Sequence, residues 1–146
     1  MNLSLRQLVF VLVFIGIVGL EIELALLRHA ESFSQWIPHI VLLIGLLATV
    51  IVFLRPSATI LRVFQAIMWM FVVTGMLGLY FHFKGNFEFA TERDASLGGF
   101  RLLWKVLRGA TPAFAPGAMS QLGLLGLIYT YKHPMLGRST DIASKA

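Results

Sequence analysis

Glutamate and histidine side chains stand near the ends of long apolar stretches, and they are the residues best suited to bind a proton or a metal ion. Glu21 and Glu23 lie in the last third of the first stretch, His29 follows it, His39 opens the second stretch and His82 closes the third. An ionisable group at the centre of a membrane helix costs about 2.5–3.5 kcal/mol, so those that occur usually have a partner or a function. The sequence therefore indicates one polar region near a single membrane face.

The spacing of glycines predicts which of these residues meet. Two glycines precede a polar residue at i, i+3 and i+7 in two stretches: Gly16, Gly19 and Glu23, and Gly75, Gly78 and His82. Small residues on one face let two membrane helices approach closely. Since the first and third helices of a multi-span protein run in the same direction, we predict that Glu23 lies beside His82. Glu21 lies about 200° around the helix from Glu23 and therefore faces elsewhere.

Three kinds of chemistry fit these residues. The first is a charged pair that holds two helices together and binds nothing, which is the role that we expect for Glu23 and His82. The second is a metal or haem site formed by His39, His82 and Glu23, because imidazole and carboxylate groups bind zinc, copper and iron. The third is proton-coupled transport, since a glutamate on the first of four short helices is loosely similar to small multidrug antiporters. The long third loop and the late position of both acids depart from that family's pattern, so no residue roles are carried over.

The sequence lacks the motifs of the common catalytic classes. It contains no cysteine, which excludes disulfides, thiolate ligands and thiol nucleophiles. It also contains no H-E-x-x-H metal motif, no G-x-x-x-x-G-K-[ST] phosphate loop and no G-x-S-x-G elbow around Ser120. We therefore predict a non-catalytic protein without a cofactor, with a metal ion or haem as the alternative.

Composition indicates a membrane protein. Of the 146 residues, 58% are hydrophobic and only 13% are charged, which lies outside the range of soluble domains. The net charge of +5 comes from Lys and Arg residues at the edges of apolar runs, where membrane proteins place them, so it does not indicate a nucleic-acid partner. The first run is not followed by a small-x-small cleavage site, and we interpret it as a retained span.

Four apolar stretches approach the 20 or so residues that a helix needs to cross a bilayer. The predicted spans are 5–27, 37–54, 58–83 and 116–131. The predicted fold class is an all-α integral membrane protein, a four-transmembrane-helix bundle that forms one domain over 1–136 and ends in a flexible tail over 137–146. Arg55 and Arg62 flank the short second loop, so the positive-inside rule places both termini in the cytoplasm.

The polar segment between the third and fourth spans contains an amphipathic pattern over 95–108. Trp104 lies on its apolar face, and its basic residues share another face: Arg101, Lys105 and Arg108. This pattern is typical of a helix that lies in the membrane interface. Asp94 or Ser96 is predicted to cap its start, and Gly109 to end it in the left-handed conformation.

Small residues provide flat surfaces on several spans, and those predicted to pack helices together are Gly16, Gly19, Gly75, Gly78, Gly123 and Gly126. Four thin helices leave little interior volume for a substrate path. We therefore predict a non-catalytic membrane protein that associates with itself or serves as an accessory subunit of a larger membrane complex. The alternatives are an electron-transfer accessory subunit with a metal, haem or pigment, and a small proton-coupled transporter.

Overall fold

The computed structural model describes residues 4–109 and 114–137, and within these ranges every regular element is a helix. The helices are α1 (Leu5–Leu26), α2 (Phe33–Leu54), α3 (Ala58–Arg93), α4 (Gly99–Leu107) and α5 (Gly117–Thr130). No strand occurs among the described residues, so the predicted all-helical class is confirmed for them. The predicted C-terminal tail lies outside the described residues from 138 onward.

Three helices are long and apolar enough to cross a membrane. They are α1 and α2, with 22 residues each, and α3, with 36 residues. At 1.5 Å per residue, a 22-residue helix is about 33 Å long and matches a hydrocarbon core of about 30 Å. Helix α5 has 14 residues and a length of about 21 Å, so length and composition identify three spans where the sequence predicts four.

Side-chain caps define where α1 and α2 begin. Ser4 and Gln7 form a capping box at α1, in which the Ser4 amide donates to the Gln7 side chain at 2.8 Å. The Gln35 side chain accepts from the amides of Glu31 and Ser32, so α2 begins at Phe33, four residues before the predicted start. Its end at Leu54 precedes an Arg-Pro pair, which disfavours continuation of the helix.

Helix α3 continues ten residues beyond its predicted end. The polar residues after Phe83 are compatible with a helix, and Lys84 and Glu88 form an i, i+4 ion pair at 3.7 Å. The helix stops at Asp94, whose carboxylate accepts from both the amide and the hydroxyl of Ser96. Asp94 and Ser96 therefore form a turn rather than the predicted helix cap, and α4 begins only at Gly99, whose φ of 56° favours glycine.

Helix α5 packs between α1 and α3, whereas α2 packs against α1 and α3, and α4 packs against α3. The close approach of α5 to α3 requires glycine at Gly123, where a Cβ atom would lie 2.6 Å from the Met68 carbonyl oxygen. The side chains of this core are mostly apolar, and the largest fully buried ones include Ile17, Leu42, Leu61, Phe64, Met68 and Phe71.

The beginning of α1 lies next to the end of α5. Nη2 of Arg6 donates to the carbonyl oxygens of Tyr131 and Lys132, both at 3.2 Å. One turn further along α1, the ring of Phe10 lies 4.8 Å from the ring of Tyr129, near the end of α5. The first and last described helices therefore meet at one end of the bundle.

Candidate functional site

Glu21 and His39 form a polar pair between α1 and α2. Nδ1 of His39 lies 2.8 Å from Oε1 of Glu21, and Nε2 lies 3.0 Å from the carbonyl oxygen of His29. A carbonyl oxygen only accepts, so Nε2 of His39 donates to it. The other ring nitrogen, Nδ1, faces the Glu21 carboxylate, so the pair forms a polar link between α1 and α2.

Burial makes this pair energetically significant. The His39 side chain is 9% exposed and the Glu21 side chain 28%. The second carboxylate oxygen of Glu21, Oε2, is buried without a hydrogen-bond partner among the described residues. Buried polar groups without partners cost about 1–3 kcal/mol, so the Glu21–His39 contact compensates only part of the cost of placing a carboxylate here.

His29 and His82 extend the pair into a cluster of four residues. Arg28 adopts a left-handed φ of 52°, which turns the chain after α1, and the His29 and His82 ring centroids are 6.3 Å apart. Burial lowers the pKa of His29 below its ordinary value, and the nearby His82 and His39 lower it further. His29 is therefore predominantly neutral at pH 7.

Glu23 and His82 are not brought together as the glycine spacing predicts. Glu23 is exposed, and α1 contacts α2 and α5 but not α3. Gly16 of α1 and Gly78 of α3 face α5 instead: a Cβ atom at Gly16 would meet Leu122, and one at Gly78 would lie 2.6 Å from the Pro116 side chain. These two glycines contact α5 or its first turn because α5 lies between the two helices that the prediction paired.

The remaining predicted packing glycines divide into two groups. Those at contacts between α3 and α5 are Gly75, Gly123 and Gly126, where an added Cβ would meet Ser120, the Met68 carbonyl and the Met68 side chain, respectively. Gly19 differs, because a Cβ atom there would have nothing within 4 Å. No described residue therefore covers the surface of α1 around Gly19.

The predicted metal ligands do not form one site. His39 pairs with Glu21, while Glu23 is exposed on another face of α1. Across residues 4–109 and 114–137, no three His, Asp or Glu side chains are grouped so that they could hold a metal ion. The difference arises from the rotation of α1, which turns Glu21 rather than Glu23 toward α2.

A cavity of about 250 Å³ lies between α3 and α4, and its lining residues are Asn86, Phe89, Ala90, Lys105, Arg108 and Gly109. Asn86 is buried, and its Nδ2 donates to the carbonyl oxygen of Val106 at 3.0 Å. Gly109 packs directly on the Asn86 side chain. This close approach requires glycine at position 109. Gly109 does not form the predicted left-handed helix end, because among the described glycines only Gly99 has a positive φ.

The four predicted interfacial residues lie exposed on α4: Arg101, Trp104, Lys105 and Arg108. Trp104 stacks on Phe100 with a ring separation of 6.2 Å, and the Arg108 guanidinium lies 5.7 Å from the Trp104 ring centroid. Asn86 is a polar residue that the sequence patterns above do not single out. It lies one helical turn after His82 and one turn before Ala90, so the three share one face of α3. This spacing is the sequence feature that indicates its inward position.

These features define a class, an all-helical protein with three helices able to span a membrane and a polar cluster near the end of α1. No protein-family model, curated protein or solved structure matches the chain.

Proposed function

We propose that this chain is a small, non-catalytic, four-span integral membrane protein that serves as a subunit of a membrane assembly and attaches through the outer face of α1. The observation that carries this proposal is an α1 surface that no described residue covers, where Gly19 borders open space and the carboxylate of Glu23 is exposed. A flat glycine surface suits a second helix. An exposed acid within an apolar span favours a polar partner over lipid.

Helix α5 is the fourth span in this proposal. The hydrogen bonds from Arg6 to Tyr131 and Lys132 support an even number of crossings, because they join the beginning of α1 to the end of α5. Contacts with α1 and α3 along its length support burial of α5 within the bundle, where a short helix need not match the bilayer by itself. Both termini are placed in the cytoplasm, and the segment around α4 on the opposite side.

The shallow burial of α1 also supports attachment to a partner. Val13 and Ile17 are its two buried residues, and they face the rest of the bundle. Leu12, Ile15 and Leu26 are exposed on the side of Gly19 and Glu23. A helix with one narrow buried stripe leaves most of its surface for lipid or for other helices, either of a second copy or of other membrane subunits.

Site-specific photo-crosslinking in native membranes tests this attachment. Ile15 and Val73 are matched positions, since they are 60% and 55% exposed on α1 and α3. A photoreactive residue in place of Ile15 should crosslink to a defined protein, which mass spectrometry identifies as a second copy or another subunit. The same residue in place of Val73 should label mainly lipid. Lipid labelling alone at both positions would overturn the proposal.

The metal-, haem- or pigment-binding alternative would require ligands other than the set His39, His82 and Glu23. An absorption spectrum and a metal analysis of the purified protein test it directly. We expect no visible absorption band and no stoichiometric metal. A visible band or a stoichiometric metal would replace the subunit proposal by an electron-transfer role.

A further inference from the structure

We propose that the cavity between α3 and α4 binds the phosphate group of an anionic phospholipid, with Lys105 and Arg108 as its ligands. Two of the six lining residues are cationic and none is acidic. The volume of about 250 Å³ lies below the roughly 300–1,000 Å³ of pockets for drug-sized molecules, so the cavity suits a small group such as a phosphate with its ester carbons.

The charges of Lys105 and Arg108 are available for such a ligand. The ion pairs found across the described ranges join Glu21 to His39 and Lys84 to Glu88, and neither involves these two cations. Asp94 interacts with Lys105 only at longer range: the pKa of Asp94 is lowered first by hydrogen bonds from Ser96, and Lys105 contributes a smaller part. Lys105 therefore has no direct carboxylate partner among the described residues.

Arg108 has the geometry that phosphate recognition needs. Its guanidinium lies 5.7 Å from the Trp104 ring centroid, a distance at which a cation and an aromatic ring attract each other. This contact restrains the arginine, and a guanidinium offers several N–H donors that can bind a phosphate in pairs. Lys105 lies three residues earlier on α4 and adds a point charge on the same cavity.

The wall opposite these cations is held in place by Asn86. Its side chain donates to the Val106 carbonyl at 3.0 Å and packs against Gly109, which fixes the end of α4 on α3. Phe89 and Ala90 supply an apolar surface on the α3 side. The cavity thus offers a charged side for a phosphate and an apolar side for the glycerol and upper acyl carbons.

The position of α4 favours a lipid over a soluble phosphate ester. Phe100, Leu103 and Trp104 expose apolar surface on α4, and such residues place an amphipathic helix at the depth of the headgroups. The inference needs only that the protein lies in a membrane, so it does not rest on attachment through α1.

Native mass spectrometry of the full chain in mild detergent tests the site, with phosphatidylglycerol, phosphatidylcholine and inorganic phosphate as separate probes. Phosphatidylglycerol should bind in preference to phosphatidylcholine. The double variant Lys105→Gln, Arg108→Gln should bind it roughly a hundredfold more weakly, about tenfold for each charge removed, because charge-assisted hydrogen bonds are lost. Arg101→Gln is the matched control, since Arg101 lies on the same helix outside the cavity, and should change the affinity less than about threefold.

Three outcomes would overturn the inference. The first is an equal loss of phosphatidylglycerol affinity per charge removed in the double variant and in Arg101→Gln, which would indicate diffuse attraction to α4. Displacement of phosphatidylglycerol by millimolar inorganic phosphate would indicate a site for soluble phosphate. Equal binding of both lipids would show that the headgroup charge is not recognised. Circular dichroism of each variant establishes that α4 and the bundle are retained before binding is compared.

Discussion

Replacing Glu21 by glutamine should destabilise the protein because it removes the carboxylate that holds the buried His39. The His39 side chain is 9% exposed, so its Nδ1 has little access to water once the carboxylate is lost. Breaking a fully buried ion pair costs about 3–5 kcal/mol. The Glu21 side chain is 28% exposed, and solvent weakens the interaction. We therefore expect a loss of about 1–3 kcal/mol in the free energy of unfolding.

Glu23→Gln is the matched control, since it makes the same chemical change two residues further along α1. Glu23 is exposed and forms no ion pair among the described residues. Its substitution should change the free energy of unfolding by less than about 0.5 kcal/mol. The assay is reversible unfolding of the purified protein in mixed micelles, with denaturing detergent as the variable and circular dichroism as the signal.

A double-mutant cycle with Glu21→Gln and His39→Ala measures the contact itself. The coupling energy should exceed about 0.5 kcal/mol, the scale within which independent sites add. If the coupling is smaller, or if Glu23→Gln costs as much as Glu21→Gln, the reasoning from burial and distance is refuted.

Three further predictions concern packing, the α3–α4 contact and pH. Gly123→Ala should lower the free energy of unfolding by about 1–3 kcal/mol, because its Cβ would lie 2.6 Å from a carbonyl oxygen of α3. Gly19→Ala should be neutral or stabilise the isolated protein by up to about 1 kcal/mol. Equal effects of the two substitutions on unfolding would contradict this prediction. Asn86→Ala should remove the side-chain bond that joins α3 to the Val106 carbonyl and increase proteolytic cleavage near α4, while unchanged protection would argue against the contact. Because burial lowers the pKa of His29, its contribution to stability is present above its unfolded pKa of about 6.5 and is lost as the pH falls toward its folded pKa. Unfolding measured at pH 7.5 and 5.5 should show lower stability at pH 5.5, and His29→Gln should reduce that difference.

Local features of the sequence predict most helix boundaries. The apolar length of α1 and the Arg-Pro pair after α2 depend only on neighbouring residues, and the observed ends at Leu26 and Leu54 lie within one residue of those predicted. The extension of α3 to Arg93 was not predicted, because a polar helix outside the apolar window has the composition of a loop. Hydropathy does not distinguish a polar helix from a polar loop.

The rotation of α1 could not be derived from its sequence. Val13, Ile17 and Glu21 are spaced at i, i+4 and i+8, so Glu21 continues the buried stripe of α1. Almost all remaining positions of this helix are also apolar, and lipid and protein neighbours require the same side chains. Only the contacts with α2 and α5 decide that Glu21 faces inward while Glu23 does not. The local sequence predicts how deep the polar cluster lies, but it does not decide whether Glu21 or Glu23 belongs to it.

The bond between Arg6 and Tyr131 has a consequence for biosynthesis. These residues are 125 positions apart, and a ribosome that adds about 5–20 residues per second needs roughly 6–25 seconds to cover that distance. His39 follows Glu21 by only 18 positions, which takes roughly 1–4 seconds at the same rate. In the proposed membrane protein, α1 therefore meets α2 first, through a polar contact, and lacks its contacts with α5 until that helix emerges. A chain interrupted before α5 would leave α1 and α3 without the helix that packs between them.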